Sequence, residues 1–268
     1  MRPCFYPSIM KNIFRPFGRI DKSTLAIMIV GQIVLALLFW HITSNGLIPR
    51  PLQVGKSLAS LLFSGLLWDN VIISILLTVK AMAIAVVITL FFSYLSVLPF
   101  FHTIARFLVK CRYLTLTGFI FIFTLLTQNG GQLKLSLLIF GIVPFFVTSF
   151  LAVIISTDRQ QYELCKTLGY TNWETLYEVI IVGKADQVFE IVRQNFAISW
   201  LMITLVEGYS MGEGGIGTLL IKYNKYNDLT NVISIQIVIF LLGLFFDYLL
   251  GTLKVWFLPY SKFETQPL

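Results

Sequence analysis

The chain of 268 residues is 57% hydrophobic and 15% aromatic but only 12% charged, with a mean hydropathy of +0.82, whereas a soluble domain carries about 25% charged residues. This balance excludes an ordinary soluble globular protein and predicts a polytopic membrane protein. The net charge of +7 does not point to nucleic acid, because the basic residues stand in ones and twos between apolar runs and form no basic element.

In chain order, residues 1–24 are basic, contain proline and lack a long apolar core, so they read as a cytoplasmic tail and not as a cleaved signal peptide. A helical span needs roughly 17–25 mostly apolar residues. Six runs are candidates: 25–42, 71–98, 113–128, 134–155, about 190–208 and 231–257. They predict an all-α transmembrane domain over residues 25–257, followed by a second cytoplasmic tail, 258–268. Long apolar helices exclude a barrel of alternating strands.

With the N-terminus inside, fourteen Lys and Arg residues fall on the cytoplasmic side and five outside (Arg50, Lys56, Lys134, Lys222 and Lys225), with Lys80 inside a span. That bias places both termini in the cytoplasm. Cys4, Cys111 and Cys165 then share the cytoplasmic side, as suits a chain without structural disulfides.

Two glycine motifs invite a nucleotide reading, and both fail. "GKS" at Gly55–Ser57 lacks the glycine a Walker loop needs five residues earlier, where Arg50 stands. "GEGGIG" at Gly212–Gly217 fits G-x-G-x-x-G, but no strand precedes it, and a phosphate loop needs one. The apolar run before it, Phe196–Val206, has eleven residues and ends in Glu207-Gly208. This predicts a short, interrupted span bordering a transport pathway, with an outer turn in which Gly208 and Gly212 permit close helix approach.

Charges inside spans require a reason, since a cation at a helix centre costs about 2.5–3.5 kcal/mol on insertion scales. Lys80 either faces the pathway and attracts an anionic solute, or snorkels outward from a span whose apolar core begins at Ala81. Glu207 and Asp247 either pair with Lys80 or lie at an interface. His41 and His102 have no ligand-spaced neighbours, so no metal site is expected, and no nucleophile comes with a base, so no catalytic site or cofactor is expected.

The segment 156–187, between the fourth and fifth spans, has a helix–glycine–helix grammar. Good helix formers run from Arg159 to Leu168. Gly169 then takes the left-handed position that ends a helix, and Thr171 with Glu174 forms a capping box that starts the next. Trp173, Leu176, Tyr177, Ile180 and Ile181 recur at helical spacing and predict one apolar face packed on the membrane domain.

Glu163-Leu164-Cys165-Lys166-Thr167-Leu168-Gly169 resembles the Glu-Ala-Ala…Gly signature of the membrane subunits of ATP-binding-cassette (ABC) importers, nearest to the nitrate/sulfonate/taurine branch. "IPRPLQV" (Ile48–Val54) and "EGYSMGEGGIGTLL" (Glu207–Leu220) are similar to further segments of that branch. The two motif alanines are replaced by Leu164 and Cys165, and Val182 stands where the closing proline is usual. The resemblance implies a type I ABC importer permease fold in a bacterial inner membrane. Glu163 to Gly169 would form a coupling helix, and Lys80, Glu207 and Gly208 are candidates for the pathway. It also implies two ATPase subunits, an external substrate-binding protein and a second copy of this chain as partners, and a small, anionic, sulfonate-, nitrate- or taurine-like solute. The competing reading is an ATP-independent secondary transporter or channel.

Overall fold

The structure is a computed structural model that describes residues 22–44 and 48–257. Most of both tails, including Cys4, lies outside the described residues. Among those described, every regular element is helical, and the chain divides into two units, Met1–Ser57 and Leu58–Leu268.

The first unit contains α1 (Lys22–Thr43), whose apolar side chains are exposed on every face. Such a helix is suited to a lipid solvent or to the cover of another chain. Trp40 Nε1 donates to the Pro49 carbonyl at 3.2 Å, satisfying its N–H where the chain leaves the helix. α2 (Pro51–Phe63) starts on a proline, whose missing N–H costs nothing in a first turn, and runs on into the second unit.

The second unit is built around α3 (Gly65–Leu95), α6 (Gly130–Ile155) and α9 (Ala185–Tyr209). α3 buries a stripe of small side chains, Ser74, Thr78, Ala81, Ala85, Thr89 and Ser93, at spacings of three or four residues. Small residues let two backbones approach closely, the main means of packing where lipid removes the hydrophobic drive. Against α3 lies α6, the most buried of the long helices, with Leu138, Ile142, Phe146 and Phe150 in the core. Pro144 interrupts its hydrogen-bond ladder, and Gly141, one turn earlier, lets Met202 of α9 and Leu116 approach. Trp200 and Ile203 of α9 complete the core with Ile235 of α11 (Leu229–Phe257).

Between α3 and α6 the chain makes two short helices, α4 (Pro99–Lys110) and α5 (Leu116–Leu126). After α6 come α7 (Arg159–Thr167), α8 (Asn172–Leu176) and a π-helical turn, Tyr177–Val182. α10 (Ile216–Lys225) follows α9. Among the described residues four helices, α1, α3, α6 and α11, are long and apolar enough to cross a membrane. α4 with its following turn and α5 are bent by 111° and add a fifth crossing if the pair is one span.

Two expected spans therefore take a different form. The 113–128 run folds as the 11-residue α5, about 16 Å long, which cannot cross alone. The expected interruption near Glu207-Gly208 is absent. α9 is continuous for 25 residues, about 37 Å, but carries Asp186, Glu190, Arg193 and Glu207. Buried Glu207 gains an internal partner, so the helix need not break there. Lys134, placed above on the outer side, lies in the first turns of α6 and is 1% exposed.

Candidate functional site

The segment 156–187 folds as its local signals dictate. Asp158 caps α7, accepting from the Gln160 N–H at 3.1 Å. Gly169 adopts φ +84°, and the Tyr170 N–H reaches back to the Cys165 carbonyl at 3.0 Å, closing the helix on a left-handed residue. The Thr171 N–H donates to Glu174 Oε2 at 2.8 Å, and Thr171 Oγ1 accepts from the Glu174 N–H at 3.4 Å. These reciprocal bonds form the expected capping box, and the Thr171 N–H and hydroxyl, both donating to the carboxylate, hold Glu174 below the usual carboxylate range.

Of the seven motif residues, only Cys165 is buried, with Tyr162 half-buried beside it one turn earlier. Burial pushes the Tyr162 phenol above its ordinary range. Glu163, Leu164, Lys166, Thr167, Leu168 and Gly169 all face outward. Glu163 pairs with Arg159 at 3.2 Å, an exposed i, i+4 bridge that contributes little to stability.

The apolar face of the second helix differs from expectation. Thr175, Val179 and Ile180 are buried, while Trp173 is 62% and Tyr177 55% exposed. The ladder changes from α to π at Tyr177, which rotates the later side chains relative to the earlier ones. Trp173 and Tyr177 thus join Leu164, Leu168 and Tyr170 as exposed large apolar residues on one short segment. None of the described residues buries them.

The glycine run closes a second constellation. Gly214 (φ +72°) and Gly215 (φ +115°) take conformations that side chains resist, and they turn the chain into α10. The first N–H groups of α10 have no partner within the helix. Gly215 N donates to Asn70 Oδ1 (2.7 Å), Ile216 N to Ser74 Oγ (2.8 Å) and Gly217 N to Glu207 Oε2 (2.8 Å). Ser74 Oγ in turn donates to Glu207 Oε1 at 2.6 Å, and Lys134 Nζ donates to the Gly214 carbonyl at 2.7 Å. α3, α6 and α9 therefore converge on one loop, and the helix N-terminus binds a carboxylate of its own chain. Gly208 packs against Ile221 with no room for a side chain, and Gly217 lies against the Thr204 backbone. Gly212 has open space around it, so the close approach belongs to Gly208 and Gly217.

Lys80 joins neither constellation. It is exposed at the middle of the 31-residue α3, one turn from exposed Leu76 and Ile84. α3 begins at Gly65, so Lys80 lies about four turns from its start. Glu207 pairs within the loop network instead, and Asp247 accepts from Arg193 Nε and Nη2 at 2.7 and 2.9 Å. With Lys254 and Glu190 (3.4 Å), that pair clasps α9 to α11 just beyond the 156–187 segment. The sequence offered no signal for Asn70, Ser74 or Lys134 as loop partners. Among the described residues no cluster of His, Cys, Asp and Glu could hold a metal.

No family model matches the sequence, and no curated protein matches it. The structure is similar to a chain in the crystal structure of an amino acid ABC transporter with histidines. The TM-score is 0.64 at 19% identity, covering 74% of this chain and 96% of that one. At that identity the likeness is one of fold.

Proposed function

We propose that this chain is the membrane-spanning permease subunit of an ABC importer. The observation that carries the reading is the exposed Leu164, Leu168, Tyr170, Trp173 and Tyr177 surface on a helix–glycine–helix segment, set in a fold shared with an ABC transporter chain. An apolar patch on a short, well-capped segment is suited to seat in another protein. The occupant proposed is a cytoplasmic ATPase subunit, with Glu163 to Gly169 as the coupling helix and Glu163 and Lys166 as its polar rim. Two ATPase subunits, a second copy of this chain and an external substrate-binding protein complete the assembly.

Both termini and the 156–187 segment are proposed to be cytoplasmic. The charge asymmetry of fourteen to five supports that orientation. This chain carries no catalytic role, and ATP hydrolysis belongs to the partner. For the solute we propose a small, anionic, sulfonate-, nitrate- or taurine-like molecule. A cation on an exposed apolar stripe at mid-helix is costly in lipid, and Lys80 is better placed against an aqueous pathway formed with the second copy. Glu207 and Gly208 would act one step away, by fixing the loop that packs on α3.

The test is uptake by proteoliposomes holding this chain, its ATPase and its binding protein. Uptake of a radiolabelled anionic solute should require interior ATP and fall at least tenfold in Trp173→Ser/Leu164→Asp. Uptake driven by an ion gradient without ATP would overturn the reading.

A further inference from the structure

From Asn70 to Thr157 the chain contains no Asp or Glu but five cations, Lys80, Arg106, Lys110, Arg112 and Lys134. Three of these sit within seven residues on α4 and the turn after it. Their placement is constrained twice. α4 begins four residues after α3 ends, so it cannot stray far from the end of a membrane-crossing helix. The 111° bend also places it within about 20° of the plane perpendicular to α5.

The exposed face of α4 is mixed in character. Phe100 and Phe107 are 72% and 66% exposed, and Thr103, Arg106 and Lys110 share their face. The opposite face, through Ala105, packs on α3 and α6. At the bend Arg112 donates to Tyr113 Oη at 2.8 Å and stacks over its ring. Among the described residues no ion pair involves Arg106, Lys110 or Arg112. Beside Arg112 opens a cavity of about 310 Å³, otherwise mainly apolar and lined by Leu114, Phe140, Pro144, Met202 and Leu205.

We propose that α4 and the bend after it form a docking surface for anionic phospholipids of the surrounding bilayer. The phosphate headgroups sit against Arg106, Lys110 and Arg112. Phe100 and Phe107 insert among the acyl chains, and the cavity beside Arg112 receives part of one chain. Cations with aromatic residues on one exposed helix face, tethered to a span end, match a membrane–water interface carrying negative charge. A protein partner for this face would need acidic residues opposite all three cations. Lipid supplies that charge wherever α4 meets the bilayer. The proposal rests on the membrane-spanning reading and is independent of what the chain transports.

The test is native mass spectrometry of the full detergent-solubilised chain with added dioleoyl-phosphatidylglycerol or dioleoyl-phosphatidylcholine. The wild type should bind phosphatidylglycerol preferentially. Arg106→Gln/Lys110→Gln/Arg112→Gln should lose that preference on the order of fivefold per cation removed, with phosphatidylcholine binding unchanged. Lys222→Gln/Lys225→Gln, which removes two cations of α10, should keep it, as should Arg106→Lys/Arg112→Lys. Phe100→Ser/Phe107→Ser should weaken both lipids alike. Far-UV circular dichroism confirms that each variant is folded. A triple variant with the wild-type preference would overturn the proposal, as would an equal loss in the Lys222/Lys225 variant. A change of oligomeric state without a change in lipid preference would assign the face to protein instead.

Discussion

Replacing Glu207 tests whether the glycine loop is held by its buried polar network. The side chain is 0% exposed and accepts from the Ser74 hydroxyl and the Gly217 N–H. Among the described residues, Glu207 and Glu213 supply the negative charge acting on nearby Lys134. Glu207→Ala strands two donors and leaves Lys134 short of countercharge. A hydrogen bond to a charged group is worth about 1.5–3 kcal/mol, and each buried donor left without a partner costs about 1–3 kcal/mol. These terms overlap, so the expected loss is about 2–5 kcal/mol. Glu207→Gln keeps an acceptor for Ser74 but turns an amide donor toward the Gly217 N–H, for about 1–3 kcal/mol. Adding Lys134→Met to Glu207→Gln should cost less than the sum of the single changes, with a coupling of about 0.5–3 kcal/mol. Denaturant unfolding of the solubilised chain, followed by circular dichroism, measures all of these. A Glu207→Ala variant within about 1 kcal/mol of wild type, or strict additivity with Lys134→Met, would refute a network built on that carboxylate.

Gly169→Val should destabilise the turn by about 1–2 kcal/mol through backbone strain alone, since open space surrounds the position and φ is +84°; faster proteolysis between residues 165 and 172 would report it. Thr171→Ala should cost about 1 kcal/mol of cap stability, read as earlier hydrogen exchange at residues 172–176. Because Glu174 is held below the usual carboxylate range, its contribution to the cap is fully present above the ordinary carboxylate pKa. It is lost as pH falls through the lowered value, so wild-type protection of 172–176 should decline only in acid, and Glu174→Gln should flatten that dependence. Gly208→Leu should push α10 from α9 at Ile221 and cost about 1–3 kcal/mol in the same unfolding assay.

The helix–glycine–helix segment was legible in the sequence because its determinants are local. Gly169 and the Thr171–Glu174 pair act within four residues, and such signals survive without knowledge of the fold. What covers the stripe was not legible. Trp173 and Tyr177 recur at helical spacing whether they face their own chain or another, and no residue type announces the change to a π ladder. Apolar runs located the long helices but not the bend after α4, which depends on packing against α6. The glycine run was read correctly as a turn. Its partners were hidden because Ser74 and Glu207 meet across 133 residues, and a lone buried carboxylate looks in sequence like a pathway charge. The burial of Lys134 was hidden for the same reason: a lysine near an expected span end is ordinarily exposed, and its bond to the Gly214 carbonyl crosses 80 residues.

The central claim, that the exposed segment after α6 seats in a cytoplasmic ATPase, is tested most directly by placing the photo-crosslinking residue p-benzoylphenylalanine at position 173 and irradiating intact cells that co-express the ATPase. A single adduct with the ATPase subunit is expected, lost when Leu164 and Leu168 are both changed to Asp. An adduct only with lipid or with a second copy of this chain would contradict it.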